Sequence, residues 1–164
     1  TGFVATGQIG ITITGAGIPL DAIRVDFASG AVEREVLRHR DKRLVIVEGQ
    51  GSLAHPGSTA TLPLLRGSMP THLIMCVRAG QTHLRERLEV RLPHLRPFMR
   101  LYEELGEVAG TFRRPVTAAV AANTVNWEKN EADDFCRLME AELGIPVVDP
   151  VRHGADRLVD AVLA

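Results

Sequence analysis

Short apolar runs that contain almost no polar residues constrain the fold of this chain more than any other feature. Such runs occur at residues 3–5, 44–47, 73–77, 116–121 and 146–148. In a strand with one solvated face, apolar and polar side chains alternate, whereas a continuous run is typical of a strand buried on both faces in a parallel sheet. We therefore expect parallel strands at these positions, buried on both sides.

Segments with helical periodicity lie between these runs. The spacing of apolar residues predicts helices over 26–38, around 98–108, over 135–143 and over 156–163. Gly106 and Gly110 lie near the end of the second helix and Gly144 follows the third, and glycine commonly ends a helix at such positions. Residues 9–13 are ambiguous, because they alternate like a strand but are flanked by glycines. The alternation of strands and helices predicts an α/β fold with a parallel sheet and helices on both faces.

The overall composition excludes several classes of protein. A length of 164 residues predicts a single domain over 1–164. A net charge of -1 argues against a nucleic-acid partner, and no apolar run approaches the roughly 20 residues of a membrane span. Two cysteines make no disulfide framework, which favours a cytoplasmic location. The charged run at 85–91 reads as a solvated segment.

Ligands of parallel α/β sheets bind beyond the carboxyl ends of the strands, so the residues that follow each run are candidates for a site. Thr6, Gly7 and Gln8 follow the first run. Because glycine adds no side-chain bulk, backbone N–H groups of this turn can approach a phosphate or carboxylate closely. A plain turn between a strand and a helix is the alternative.

The second run ends in an acid and a glycine-rich loop, composed of Glu48, Gly49, Gln50, Gly51 and Ser52. A strand that ends in a carboxylate is typical of a Walker-B element, in which the acid holds Mg²⁺ or its water. A carboxylate at the end of a buried strand needs a partner or a use, which makes a solvated turn with a chance acid the weaker interpretation. His55 follows in the same loop.

The later runs are also followed by polar residues. Arg78 can meet an anionic substrate or pair with acids of the next helix. Asn123, which precedes Thr124, can read a base edge or form a turn. Asp149 and Arg152 can bracket a ligand or form a structural ion pair.

Together these loops resemble a known family. The motifs ATGQ-G at 5–10, EGQGS-HP at 48–56, N-T at 123–124 and DP-R-G at 149–154 occur in that order. They resemble a bacterial and archaeal family long classed as of unknown function, one branch of which is described as D-glutamate N-acetyltransferase. The resemblance covers essentially the whole chain and looks like the carboxy-terminal P-loop domain. Ile9 stands where the family commonly has threonine, and Ala54 where an aromatic residue is frequent, which alters the pocket wall.

The resemblance implies a three-layer, parallel-sheet P-loop NTPase-like fold that lacks its first strand and phosphate-binding loop in this chain, in agreement with the abrupt start of the sequence inside a strand. It also implies acyl transfer from acetyl-CoA to the amine of a D-amino acid, with the phosphate-rich donor lying over the missing loop and the turn at 6–8. Arg78 or Arg152 would hold a substrate carboxylate. A base must deprotonate the incoming ammonium, and His55 and Glu48 are the candidates.

A more distant similarity to dethiobiotin synthetase implies other roles for some of these residues. Glu48 would face Mg²⁺, Asp26 would be a second metal ligand, and Asn123 would face an adenine. An ATP- and Mg-dependent ligase or kinase is therefore the first alternative function. The second is a non-catalytic domain that binds a nucleotide or forms a homo-oligomer.

Overall fold

Parallel strands form the framework of the computed structural model, which describes residues 1–85 and 87–164. The chain forms two compact units, Thr1–Pro70 and Thr71–Ala164, and each contains its own parallel sheet. The predicted α/β class with parallel strands is thus confirmed. The assignment of one domain to 1–164 stays a prediction, and Glu86 of the charged run lies outside the described residues.

In the first unit, β1 (Gly2–Val4) and β2 (Val45–Val47) pair in parallel, with Phe3 opposite Ile46. The ladder continues beyond β2, because the N–H of Glu48 donates to the carbonyl of Val4 at 2.9 Å. The carboxyl ends of both strands therefore lie at one edge of the sheet. This register brings the loop after β1 beside the loop after β2.

The helices of the first unit supply its apolar core. They are α1 (Gln8–Thr14), a short 3₁₀ helix (Leu20–Ala22), α2 (Val25–Leu37) and α3 (Thr61–Ser68). The core cluster includes Val32 of α2 and Leu64 of α3. A Cβ added to Gly67 would clash with the carbonyl of Ser29 and the side chain of Val32. The two helices pack closely because position 67 has no side chain.

The ambiguous segment 9–13 belongs to α1. This helix ends at Gly15, which adopts a left-handed conformation with φ 72° and donates its N–H to the carbonyl of Ile11. Ile9 and Ile13 are exposed, with relative accessibilities of 77% and 79%. The alternation that resembled a strand therefore reflects apolar residues on an uncovered helix face.

In the second unit, the parallel sheet has the strand order β3 (His72–Arg78), β6 (Val116–Asn123) and β7 (Val147–Val148). One face packs on α4 (Leu95–Glu107) and α5 (Lys129–Leu143), in a cluster that includes Met99, Val120 and Cys136. The opposite side contains Ala119 and Val148 packed on Leu158 of α7 (Asp156–Leu163). A short helix, α6 (Pro150–His153), joins β7 to α7.

The charged run predicted as a solvated segment forms part of a hairpin. Strands β4 (His83–Leu84) and β5 (Arg87–Arg91) pair antiparallel, with His83 opposite Arg91. The N–H of Leu92 donates to the carbonyl of Thr82 at 2.8 Å and closes the base of the hairpin. The described charged side chains of this run are exposed, as expected, and Arg87–Arg91 forms a strand.

Two details of the sequence interpretation are wrong. Burial on both faces holds for the centre of β6, but Phe3, Ile46 and Ile74 are exposed by 41%, 47% and 41%. A continuous apolar run does not reveal which neighbouring element covers its second face. Helix α4 does not end at a glycine: Val108 takes the left-handed conformation with φ 52°.

Glycine at position 106 serves packing instead of ending α4. It lies inside the helix against Pro115, whose ring a Cβ at position 106 would overlap. Gly144, in contrast, ends α5 with φ 74°, as predicted. Over the described ranges, no helix combines the length and apolar character needed to cross a membrane.

Candidate functional site

The carboxylate of Glu48 joins the two strand ends of the first unit. Its Oε2 atom accepts hydrogen bonds from the backbone N–H groups of Thr6 at 2.9 Å and Gly7 at 3.0 Å. In return, the hydroxyl of Thr6, which is fully buried, donates to the backbone carbonyl of Glu48 at 2.8 Å. The structure thus brings together Thr6, Gly7 and Glu48, which the sequence analysis placed in two separate loops. The partner of this acid is the backbone of the turn after β1.

Glycines allow the Glu48 carboxylate to approach so closely. A Cβ added to Gly10 would overlap Oε2 of Glu48. A Cβ on Gly7 would lie 3.0 Å from Oε1 of Gln50 and 3.7 Å from Oε1 of Glu48. The side chains of Glu48 and Gln50 therefore both lie against the turn after β1. Oε1 of Gln50 is buried and has no hydrogen-bond donor among the described residues.

The side chain of Gln8 bonds to Asp21, a residue that the sequence analysis did not identify as a candidate. Its side-chain Nε2 donates to Oδ2 of Asp21, at a distance of 2.5 Å. Asp21 lies in the 3₁₀ helix Leu20–Ala22, after the end of α1. Asp21 is not preceded by a strand, so the rule that directed attention to strand ends could not find it. An acid thirteen residues after the turn carries no distinctive spacing.

The glycine-rich loop after β2 is held by its own hydrogen bonds. Gly51 is left-handed with φ 75°, and the hydroxyl of Ser58 accepts the N–H of Ser52 at 3.1 Å. The hydroxyl of Ser52 accepts the N–H of Ala54 at 3.2 Å. Gly49 has open space where a side chain would lie. These bonds shape the loop that continues from Glu48.

His55 is exposed in this loop, and its ring is already engaged. The N–H of Gly57 donates to Nδ1 of His55 at 3.1 Å. A neutral imidazole that accepts at Nδ1 carries its proton on Nε2. The Nδ1 lone pair therefore already accepts a hydrogen bond from the backbone of its own loop. The roles of Glu48 and His55 as a base both stay predictions.

The predicted metal ligands Glu48 and Asp26 lie on different elements. Asp26 is exposed in the first turn of α2, whereas Glu48 follows β2. Within the described parts of the chain, no three His, Cys, Asp or Glu side chains are grouped to hold a metal ion. A Mg²⁺ ion at Glu48 would have to draw most of its ligands from water or phosphate oxygens. The metal roles of these two residues stay predictions.

A second polar cluster lies at the carboxyl ends of β6 and β7. The buried carboxylate of Asp149 accepts the N–H of Thr124 at 3.1 Å and also its hydroxyl. It caps α6 by accepting the N–H groups of Val151 at 2.9 Å and Arg152 at 3.2 Å. Burial alone raises the pKa of Asp149, but the hydrogen bonds from Thr124, Arg152 and Val151 outweigh burial and hold the pKa below its ordinary value.

Arg152 is committed to the same cluster. Its guanidinium donates to the hydroxyl and carbonyl oxygens of Thr124, at 2.9 and 3.1 Å, and to the carbonyl oxygen of Trp127 at 2.6 Å. It also lies 3.6 Å from the Asp149 carboxylate. These contacts correspond to the structural alternative of the sequence analysis. Arg152 holds the loop after β6 against the end of β7.

Arg78 and Asn123 end two neighbouring strands and are paired in register. The carbonyl of Asn123 accepts the N–H of Ala79 at 3.0 Å, and its side-chain oxygen accepts the N–H of Val125 at 3.1 Å. The second bond belongs to a turn, which the sequence analysis gave as the alternative to recognition of a nucleobase edge. Gly80 is left-handed with φ 72° and lies against Trp127. The search for polar residues after each strand did not indicate this contact. Arg78 is exposed at this edge.

Comparison with known proteins places these motifs in one family. Residues 1–159 match a family model described as "Domain of unknown function (DUF1611_C) P-loop domain". A relative from Tritonibacter scottomollicae named D-glutamate N-acetyltransferase is 39% identical over 168 residues, covering 99% of this chain and 48% of the relative. A relative of the same name from a Pseudoalteromonas species is 34% identical over 160 residues, covering 96% and 47%.

Similarity also extends to solved structures. The crystal structure of a DUF1611 family protein from Anabaena variabilis has a TM-score of 0.95 and 48% identity, covering 98% of this chain and 47% of that protein. The chain therefore spans about half the length of the relatives that it matches.

Proposed function

The chain belongs to the DUF1611 family, and on that premise we propose that it is the P-loop domain of an enzyme that transfers an acetyl group from acetyl-CoA to the amine of a D-amino acid. The observation that carries the proposal is its similarity, over nearly all of its length, to two relatives named D-glutamate N-acetyltransferase. The family resemblance predicted from the motifs is confirmed. D-glutamate is the acceptor to test first.

The chemistry requires a base. The acceptor enters as an ammonium and must lose a proton before its nitrogen can attack the thioester carbonyl. The C–N bond then forms, the C–S bond breaks, and the CoA thiolate leaves and takes up a proton. We assign the base to Glu48, whose carboxylate is fixed by the N–H groups of Thr6 and Gly7. A carboxylate held in one position loses little orientational freedom in the transition state, which favours proton transfer.

Other residues of the first unit would then shape the surroundings of this base. Gln50 lies over Gly7, and Gln8 is oriented by its hydrogen bond to Asp21. Both side chains are polar and flank the turn to which the Glu48 carboxylate is bonded. We propose that they contact the acceptor.

A substrate carboxylate calls for a cation, and the sequence offered two arginines for that role. Of the two, Arg78 is exposed, whereas the guanidinium of Arg152 is bonded to Thr124 and Trp127. The carboxylate-binding role of Arg78 stays a prediction.

We also infer the three-layer, P-loop NTPase-like arrangement that the motifs implied. The family match to a P-loop domain supports it, as does the sheet of the second unit, which has helices packed on both sides. Apolar strand faces in an α/β protein are normally covered by helices.

The experiment that tests the function mixes the intact protein with acetyl-CoA and D-glutamate. We expect release of free CoA thiol, formation of N-acetyl-D-glutamate by mass spectrometry, and little product with L-glutamate. Release of ADP from ATP and Mg²⁺ with a carboxylic acid substrate, without thiol release, would contradict the proposal and favour the ligase alternative. Nucleotide binding without turnover of either kind would favour the non-catalytic alternative.

A further inference from the structure

The charge of the second unit is concentrated in one segment. Residues 78–100, which we call the basic segment, contain six arginines and two glutamates, a formal charge of +4 in a chain whose total is -1. The remaining residues together therefore carry -5. Such an asymmetry favours an anionic partner for this segment, because a local positive potential attracts anions even when the whole molecule is nearly neutral.

The basic segment begins at the edge of the sheet where ligands of parallel α/β folds bind. Arg78 is the last residue of β3, and the N–H of Ala79 is bonded to the carbonyl of Asn123 at the end of β6. The side chain of Gln81 donates to the carbonyl of His83 at 2.9 Å and braces the first strand of the hairpin. The hairpin β4–β5 thus extends from the carboxyl edge of this sheet.

The arginines of the hairpin are available to a ligand. Arg78, Arg85 and Arg91 are exposed, and none of them forms an ion pair with a carboxylate among residues 1–85 and 87–164. Arg87 has only a loose contact with Glu89, at 3.9 Å. Arg87 and Arg91 lie in β5, whereas Arg78 ends β3, so the arginines are separated along the segment. His83, opposite Arg91, adds a donor beside it.

We propose that the basic segment binds the phosphate groups of a nucleotide that carries several phosphates, through Arg78, Arg85, Arg87 and Arg91. Arginine suits phosphate because its planar guanidinium donates two parallel hydrogen bonds. Separated arginines match a ligand whose phosphates are themselves separated. Coenzyme A carries a diphosphate and a 3′-phosphate on opposite sides of a ribose, whereas ATP carries one contiguous triphosphate.

The choice of coenzyme A as the source of these phosphates rests on the proposed function. The experiment tests the hairpin site and the proposed function separately. Binding of coenzyme A, 3′-dephospho-coenzyme A, ATP and inorganic phosphate to the intact protein is measured by isothermal titration calorimetry at low and high salt. The test variant is Arg85→Gln with Arg91→Gln. The matched control is Arg40→Gln with Arg43→Gln, which removes the same charge from exposed positions of the first unit.

We expect the test variant to bind coenzyme A about tenfold more weakly, the control to bind normally, and the difference to shrink at high salt. A loss of preference for coenzyme A over its dephospho form in the test variant identifies coenzyme A as the source. If the test variant binds ATP more weakly but binds coenzyme A normally, the hairpin is a nucleotide site for ATP.

Equal binding by the test and control variants, or no binding of either nucleotide to the unmodified protein, would overturn the proposal. The thiol-release assay reports the proposed function separately. Acetyl transfer that does not depend on Arg85 and Arg91 would leave the function standing and remove the hairpin site. Nucleotide binding that depends on Arg85 and Arg91, without acetyl transfer, would support the hairpin site and contradict the proposed function.

Discussion

The carboxylate of Glu48 occupies the space that a side chain at Gly10 would fill. The two residues are far apart in sequence, and the missing Cβ at position 10 is what allows Oε2 of Glu48 to reach the N–H groups of the turn after β1. The candidate base and the glycine of α1 therefore form one structural unit.

Replacing Gly10 by alanine should displace the Glu48 carboxylate and break its hydrogen bonds to the turn. We expect a loss of about 1–3 kcal/mol in the free energy of unfolding, larger than the helix-propensity gain of about 0.5–1 kcal/mol, together with reduced activity. Gly30→Ala is the matched control, because α2 leaves open space at that position, and it should stabilise slightly. Thermal denaturation measures the stability of both variants, and thiol release measures their activity. Equal behaviour of the two variants would contradict the packing argument.

Glu48→Gln should keep the fold and lose the base. The amide oxygen of glutamine can still accept the N–H groups of Thr6 and Gly7, but the side chain no longer takes up a proton. We expect the rate of acetyl transfer to fall about 100-fold or more, with a nearly unchanged melting temperature. Glu33→Gln, exposed on α2, is the control. Normal turnover by Glu48→Gln would exclude Glu48 as the base.

Asp149→Asn should destabilise the second unit, because one carboxylate oxygen that accepts hydrogen bonds becomes an amide that donates them. We expect a loss of roughly 2–4 kcal/mol near neutral pH. Since the pKa of Asp149 is lowered on folding, its ionised form stabilises the native state above the unfolded pKa of about 3.9, and this contribution disappears as pH falls through the lower, folded pKa.

Urea denaturation at a series of pH values measures that contribution. The difference in unfolding free energy between the unmodified protein and Asp149→Asn should be constant above about pH 5 and shrink in the acid range below about pH 4. Asp134→Asn, in an exposed ion pair with Arg137, should show only a small difference at any pH. If the difference for Asp149→Asn instead grows on acidification, the pKa of Asp149 is not lowered by folding.

Arg152→Lys tests whether this residue is structural or binds substrate. Lysine keeps the charge but loses the planar set of donors that reaches Thr124 and Trp127. We expect a loss of about 1–3 kcal/mol and a change in the emission of Trp127, the only tryptophan of the chain. Arg137→Lys is the control. A variant with unchanged stability and emission but a raised KM for the acceptor would restore the ligand role.

The sequence predicted much of the framework because hydrophobic periodicity is local. The five apolar runs all fall on strands, and the residues that follow them include Glu48 and Asp149, which the structure places in polar clusters. The helix ends were less predictable. Gly144 ends α5 as expected, whereas Gly106 packs on Pro115 and α4 continues past it. The sequence of a glycine's own segment does not distinguish a capping role from a packing role.

What the sequence determined by itself is the order of strands and helices and the polar residues delivered at the strand ends, since both follow from the side chains within each segment. Only the tertiary structure decided which of these residues meet. Glu48 bonds to the turn 42 residues before it, and Arg152 bonds to Thr124, 28 residues before it, because parallel pairing aligns strand ends that are distant along the chain. The same long-range packing commits Arg152 to a structural network and leaves Arg78 exposed. Local sequence can indicate that a buried charge needs a partner, but the partner is selected by the register of the sheet.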